Sequence, residues 1–170
     1  TLFRSVVFNL LKELSNLFTD SFFHLGGDEV QTVLWDEDIE TVKYMKLHNI
    51  SSSKDIYLDF VRLAHDTILE LGKIPVGWGE IWTNFGSTLN GGVVLQKWLI
   101  QQNITDMIDH GYRVINVEAP TNYLDHLDVT WEEMYSFEMC NYDDDDGDTT
   151  RRNNNDDLCD TLVLGGGGEM

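Results

Sequence analysis

Residues 22–30 read FFHLGGDEV. Phe22, Phe23 and Leu25 form a short apolar run of the kind a buried strand presents. Gly26 and Gly27 end that run, and Asp28 and Glu29 stand at its tip. Two neighbouring carboxylates repel, and each costs free energy if it is withdrawn from water without a partner. Acids also favour the first turn of a helix, where the dipole welcomes negative charge. Taken alone, the stretch fits either a helix start or a functional pair at a strand end. Its surroundings decide between the two.

On the amino-terminal side, Val6, Val7, Leu10, Leu11, Leu14, Leu17 and Phe18 recur at three- and four-residue steps, so residues 4–18 read as an amphipathic helix and not as a signal peptide. On the other side, 36–48 is weakly patterned and read as helical. Ser52, Ser53 and Asp55 mark a helix start, Ile56, Phe60, Leu63, Ala64, Ile68 and Leu71 form one face, and Gly72 with Pro75 ends it. Strands follow at PVGWGEIW (75–82), GVVLQKWL (92–99), RVINVEAP (113–120) and TLVLGGGGEM (161–170), with a short helix at 104–110. Continuous apolar strands alternating with helices predict a parallel sheet covered on both faces.

Each strand ends in polar or aromatic groups: HLGGDE, GWGEIW, LQKW, NVEAPTNYLD, LGGGGE. In a (β/α)₈ barrel all such ends meet on one rim, where active sites lie. A doubly wound sheet would instead show a G-x-G-x-x-G turn opening a helix, and Gly165 to Gly168 has no helix after it. The expected fold class is therefore α/β, a partial (β/α)₈ TIM barrel. Five strands of eight, in a chain of 170 residues where a barrel needs about 250, predict roughly strands four to eight of a longer protein. Residues 1–170 read as one partial catalytic domain, with 141–160 an acidic low-complexity loop inserted before the last strand.

The net charge is -19 with only 11 Lys and Arg, which argues against nucleic acid as a partner. Residues 143–160 hold eight Asp and two Arg; such a segment buries no core and lacks the glycine and acid spacing of an EF-hand loop. Cys140 and Cys159 flank it and could close that loop. Asn49-Ile50-Ser51 and Asn103-Ile104-Thr105 are glycosylation sequons that lean towards a secretory route. No apolar run reaches the roughly 18 residues of a membrane span.

Trp78, Trp82 and Trp98 are flat apolar plates on which sugar rings can stack, although Trp82 reads equally well as core. Carboxylates among aromatics suggest a glycosidase, in which one acid gives a proton to the leaving oxygen. HLGGDEV, GWGEIW, LQKW, APTNYLD and LGGGGEM, in that order, resemble the family 20 glycoside hydrolases, the β-N-acetylhexosaminidases. The resemblance covers nearly the whole chain apart from the acidic insert.

It implies that Glu29 is the general acid and base, and that the substrate's own 2-acetamido oxygen is the nucleophile. Asp28 would accept the acetamido N–H and orient that group. Tyr123 matches a tyrosine that binds the acetamido oxygen, Asp125 a contact to sugar hydroxyls, and Trp78 and Trp98 the tryptophans enclosing the acetamido pocket at C2 and the sugar. His24 matches the motif histidine, taken as an orienter behind them, while Glu80 is assigned a barrel-wall hydrogen bond and no catalysis. Where animal lysosomal members place a Glu after the double glycine, Gly167 stands here and Glu169 lies two residues on, so Glu169 is the candidate for that contact to sugar hydroxyls.

The resemblance implies no metal or organic cofactor. Expected partners are a glycan or chitin-oligosaccharide substrate, with no nucleic acid and no membrane span, and a homodimer of the full-length protein is admitted. The expected location is the secretory route, ending in a lysosome, a vacuole or outside the cell. The fragment alone is expected to be inactive. Two alternatives stay open: a two-carboxylate retaining glycosidase with Glu118 as nucleophile, and an inactive sugar-binding fragment.

Overall fold

The computed structural model describes residues 2–140 and 158–169. Most of the acidic insert therefore lies outside the described residues. The chain opens with α1 (Leu2–Leu17), followed by β1 (Phe22–His24), α2 (Val33–Asp36), α3 (Ile39–His48) and α4 (Ser53–Glu70). Next come β2 (Ile74–Trp78), α5 (Glu80–Phe85), β3 (Val94–Lys97), α6 (Ile104–Asp109) and β4 (Arg113–Asn116). The last elements are α7 (Trp131–Ser136) and β5 (Val163–Gly166).

The five strands form one sheet in the order β1-β2-β3-β4-β5, and every pair is parallel. Each strand is laid beside its predecessor with no reversal of direction. That is how a barrel wall grows, whereas a doubly wound sheet reverses its strand order at a switch point. Register is regular across β2 and β3 (Val76 opposite Val94) and across β3 and β4 (Leu95 opposite Val114), and shifts between Val114 and Ile115 where β5 joins.

Sequence explains most boundaries. Ser52 caps α4 by accepting from the Lys54 backbone N–H at 3.0 Å, and Gly72 ends it in a left-handed turn (φ 76°). Along α1, Leu11 is buried and Val7 lies with it against Ala64 and Ile68 of α4, while Val6, Leu10 and Leu17 remain exposed. The main core lies between the sheet and helices α4 to α6: Ile81, Val93, Leu95, Met107, Ile108 and Val114 have essentially no exposed surface. A fully buried aliphatic side chain of this kind is worth about 1.5–3 kcal/mol.

Some expected elements are corrected. The strand read over 75–82 ends at Trp78, and Glu80–Phe85 is helix. Ile81, Trp82 and Phe85 recur at helical spacing and are all buried, so the apolar run continues by wrapping a helix onto the core. Trp82 is thus core, with its indole N–H donating to Asp106 Oδ2 at 2.9 Å. The helix read at 36–48 starts at Ile39, where the Asp38 side chain caps α3, and the separate short helix α2 precedes it. Helix α7 was not expected at all. Cys140 and Cys159 are bonded, with Cα atoms 6.2 Å apart.

Candidate active site on the carboxyl-terminal rim

The eight residues that the resemblance assigns to the site lie at, or just beyond, the carboxyl ends of the strands. His24 and Trp78 are the last residues of β1 and β2, and Trp98 immediately follows β3. Asp28 and Glu29 follow β1, Tyr123 and Asp125 lie in the loop after β4, and Glu169 lies three residues past β5. Parallel pairing alone brings these sequence-distant groups to one edge.

The turn after β1 is tight. Gly26 (φ 73°), Gly27 (φ 97°) and Glu29 (φ 52°) all have left-handed backbones. A side chain at Gly27 would lie 2.6 Å from Ile81 Cγ2, so only glycine lets the turn settle onto α5. Tyr57 Oη donates to the Gly27 carbonyl at 2.5 Å. Burial, joined by the charges of Glu80 and Asp28, raises that phenol to about 12. Neither acid caps the next helix, since α2 begins after Thr32. Both are exposed at the tip.

An aromatic wall runs beside them. The ring of His24 meets Trp78 edge-on at 5.1 Å, Trp78 meets Trp98 at 6.4 Å, and Trp98 meets Tyr123 at 6.3 Å. Partial withdrawal of the His24 ring from water holds its pKa below the usual value, although Asp28 and Glu169 pull it up. Desolvation raises the pKa of Tyr123, and the negative charges of Glu169, Glu80, Asp125 and Asp28 raise it further. Tyr123 is therefore a protonated donor ringed by carboxylates. The structure gathers His24, Asp28, Trp78, Trp98, Tyr123, Asp125 and Glu169, whereas Glu29 stands at the turn outside the charges acting on Tyr123.

Glu169 is seated by its backbone. Its N–H donates to the Asn122 carbonyl at 2.8 Å, and its own carbonyl accepts from Leu124 N–H at 2.7 Å. Its carboxylate accepts from Gln96 Nε2 at 3.1 Å. Gln96 was not singled out, although the two-residue period of β3 places it on the same face as Trp98. Lys97, on the opposite face, was likewise passed over. It is buried, and its ammonium donates to Glu118 Oε2. Glu118, the nucleophile of the two-carboxylate alternative, is thereby paired with a cation beside β4. Glu80 does make the expected structural bond, accepting from Trp98 Nε1 at 2.8 Å. Among the described residues no group of His, Cys, Asp and Glu is arranged to hold a metal ion.

Comparison with known proteins agrees with this geometry. The family described as "Glycosyl hydrolase family 20, catalytic domain" matches residues 3–170. Beta-hexosaminidase 1 of Arabidopsis thaliana is 35% identical over 136 residues, covering 80% of this chain and 25% of that protein. Beta-hexosaminidase subunit B2 of Dictyostelium discoideum is 36% identical over 146 residues, again covering 80% of this chain and 25% of that protein. A solved exo beta-N-acetylglucosaminidase from Vibrio harveyi, in complex with N-acetylglucosamine, superposes with a TM-score of 0.75 at 22% identity, covering 98% of this chain and 26% of that one. The chain thus spans about a quarter of the length of the curated relatives it matches. With a family match over nearly its full length and a parallel sheet that carries the motif residues on one rim, the chain belongs to glycosyl hydrolase family 20.

Proposed function

We propose that this chain is the carboxyl-terminal part of the catalytic barrel of a β-N-acetylhexosaminidase, which removes terminal N-acetylglucosamine or N-acetylgalactosamine from glycans or chitin oligomers. One observation carries the reading: two adjacent acids on a left-handed turn after β1, beside a wall of Trp78, Trp98 and Tyr123. In the first step the acetamido carbonyl oxygen attacks C1 from within the substrate. The C1–O bond breaks, and Glu29 gives its proton to the departing oxygen. Asp28 accepts the acetamido N–H and offsets the positive charge that builds on the cyclised oxazolinium. Tyr123, kept protonated by its surroundings, donates to the acetamido oxygen. Glu29 then takes a proton from water as that water attacks C1, so configuration is retained. Trp78 and Trp98 enclose the sugar, Asp125 and Glu169 contact its hydroxyls, and His24 orients Trp78.

Activity of the full-length protein on plain glucosides without the acetamido group would favour the two-carboxylate alternative. Activity in the full-length protein separates the enzyme reading from a mere sugar-binding fragment. The domain reading is one partial barrel over 1–170, interrupted by the acidic loop 141–160. A secretory location, lysosomal, vacuolar or extracellular, is supported by the Cys140–Cys159 bond and by exposed asparagines at both sequons, because disulfides persist in oxidising compartments. A homodimer of the full-length protein is part of the same reading and rests on the resemblance alone.

The decisive experiment uses the full-length protein. Glu29→Gln slows cleavage of natural glycans by about 10²- to 10⁴-fold, the usual worth of general acid catalysis. It largely spares the first step with aryl glycosides whose phenols are acidic enough to leave unaided. Asp28→Asn acts on the nucleophile and slows both substrates alike. An identical dependence on leaving-group acidity in the two variants refutes the division of roles.

A further inference from the structure

Glu80 is the rim carboxylate to which the proposed reaction gives no task. It is the first residue of α5, two positions beyond Trp78, and its Oε2 accepts from Trp98 Nε1 at 2.8 Å. Trp98 is also held through its backbone. Its N–H donates to Gln102 Oε1 at 3.3 Å, as does the N–H of Leu99 at 3.2 Å, and Gln102 is buried. Gln102 in turn packs flat on Gly79. A side chain there would lie 2.3 Å from the same Oε1. The β2–α5 turn and Trp98 are thus gripped at two points, the amide of Gln102 behind the backbone and the carboxylate of Glu80 at the indole edge.

These two grips constrain different motions. The Gln102 bonds fix where the Trp98 main chain stands. An indole on a fixed main chain can still swing about its side-chain torsions, and the terminal one has a broad, roughly two-fold preference. A hydrogen bond at Nε1, the far edge of the ring, removes that freedom. Charge assistance makes the bond stronger than a neutral one. The ring so held is the middle plate of the wall, with Trp78 on one side and Tyr123 on the other.

We propose that Glu80 is a positioning residue that locks the Trp98 indole and so sets how large an N-acyl group the C2 pocket accepts. This rests on the β-N-acetylhexosaminidase reading above. With the indole locked, the pocket fits an acetyl group and excludes longer acyl chains, and the carbonyl oxygen is held in line with C1. With the indole free to swing, the carbonyl loses alignment and the wall yields to bulkier acyl groups. Glu80 itself touches no reacting atom. Its charge also acts on Tyr123, which helps keep that phenol a donor.

The test is N-acyl selectivity in the full-length protein, measured as the ratio of kcat/KM for aryl 2-acetamido and 2-butyramido glycosides. Glu80→Gln keeps an oxygen at the same reach but loses the charge assistance, and should fall between the wild type and Glu80→Asp in both rate and ratio. Glu80→Asp keeps the charge but falls one methylene short of Nε1. It should lower kcat for the acetamido substrate by about 10²-fold, the usual consequence of a misaligned reacting group. Its ratio should shrink by about tenfold or more, as the pocket ceases to discriminate added methylenes. Glu80→Met, which removes the acceptor at nearly constant length, should match Glu80→Asp. A merely structural Glu80 would lower the amount of folded enzyme and leave the ratio unchanged. An unchanged ratio in Glu80→Asp, or Glu80→Gln as impaired as Glu80→Asp, overturns the proposal while the wild-type activity stands. A wild-type protein that cleaves no 2-acetamido glycoside overturns the underlying functional reading instead.

Discussion

Removing Glu118 should be far costlier than its position on a loop suggests. The Lys97 side chain is 3% exposed and that of Glu118 21%, so the two ends of the pair differ in access to water. Glu118→Ala strands an ammonium that solvent can scarcely reach. Breaking a buried pair in this way costs about 3–5 kcal/mol. Lys97→Met leaves the more accessible carboxylate behind, which water can partly rehydrate, so its cost should fall nearer the 1–3 kcal/mol of an unsatisfied polar group. Replacing both, as Lys97→Met with Glu118→Leu, removes the desolvation cost along with the attraction and should recover most of the loss. The assay is denaturant unfolding of the full-length protein, with coupling read from the double-mutant cycle. Two single variants both within about 0.5 kcal/mol of wild type, the usual range for surface changes, would refute the reasoning. So would a larger loss in Lys97→Met than in Glu118→Ala.

Other perturbations reach parts of the fold away from the rim. His65 on α4 is 4% exposed, and burial lowers its pKa to about 4 from the usual 6.5. The unfolded chain therefore binds a proton that the folded chain refuses, and stability falls as pH drops from about 6.5 to about 4. His65→Leu should flatten that decline, by up to about 3 kcal/mol, in unfolding titrations at pH 7 and pH 4; an equally steep decline would show that other groups cause it. Cys140 and Cys159 lie 19 residues apart in sequence. Losing that link through Cys140→Ser with Cys159→Ser should cost about 3 kcal/mol by the chain-entropy estimate, and two free thiols in mass spectra of the native protein would contradict the pairing.

What the sequence disclosed follows from where its signals are local. The apolar strands 22–25 and 92–99, the Ser52 start and the Gly72 stop are written in spacing and turn chemistry, and each is present with trimmed ends, although β1 lies at the edge of the sheet and leaves Phe22 exposed instead of buried. Rim placement of His24, Trp78, Trp98 and Tyr123 followed from parallel strands ending in polar and aromatic groups. The error at 75–82 arose because Pro75 to Trp82 is apolar apart from Glu80, and a short apolar run has no period that separates strand from helix. Helix α7 carried a readable signal, the Thr130 and Glu133 capping box, but its six residues are too few to establish a helical period. Lys97–Glu118, Gln96–Glu169 and Gln102 against Gly79 were not legible, because each depends on cross-strand register or loop packing. One carboxyl end of a strand looks much like another until the strands are laid side by side.

The left-handed backbone at Glu29 sets stability against chemistry at a single position. A residue with a Cβ costs about 1–2 kcal/mol in that conformation, and glycine escapes it. Glu29→Gly should therefore raise the unfolding free energy by about 1 kcal/mol while discarding the carboxylate. Any search for sturdier variants that counts only folded protein will drift towards glycine here, and a screen that also reads turnover will reject it. A carboxylate on a turn that glycine would occupy more comfortably fits the role proposed for Glu29, since backbone strain gathers where function needs it.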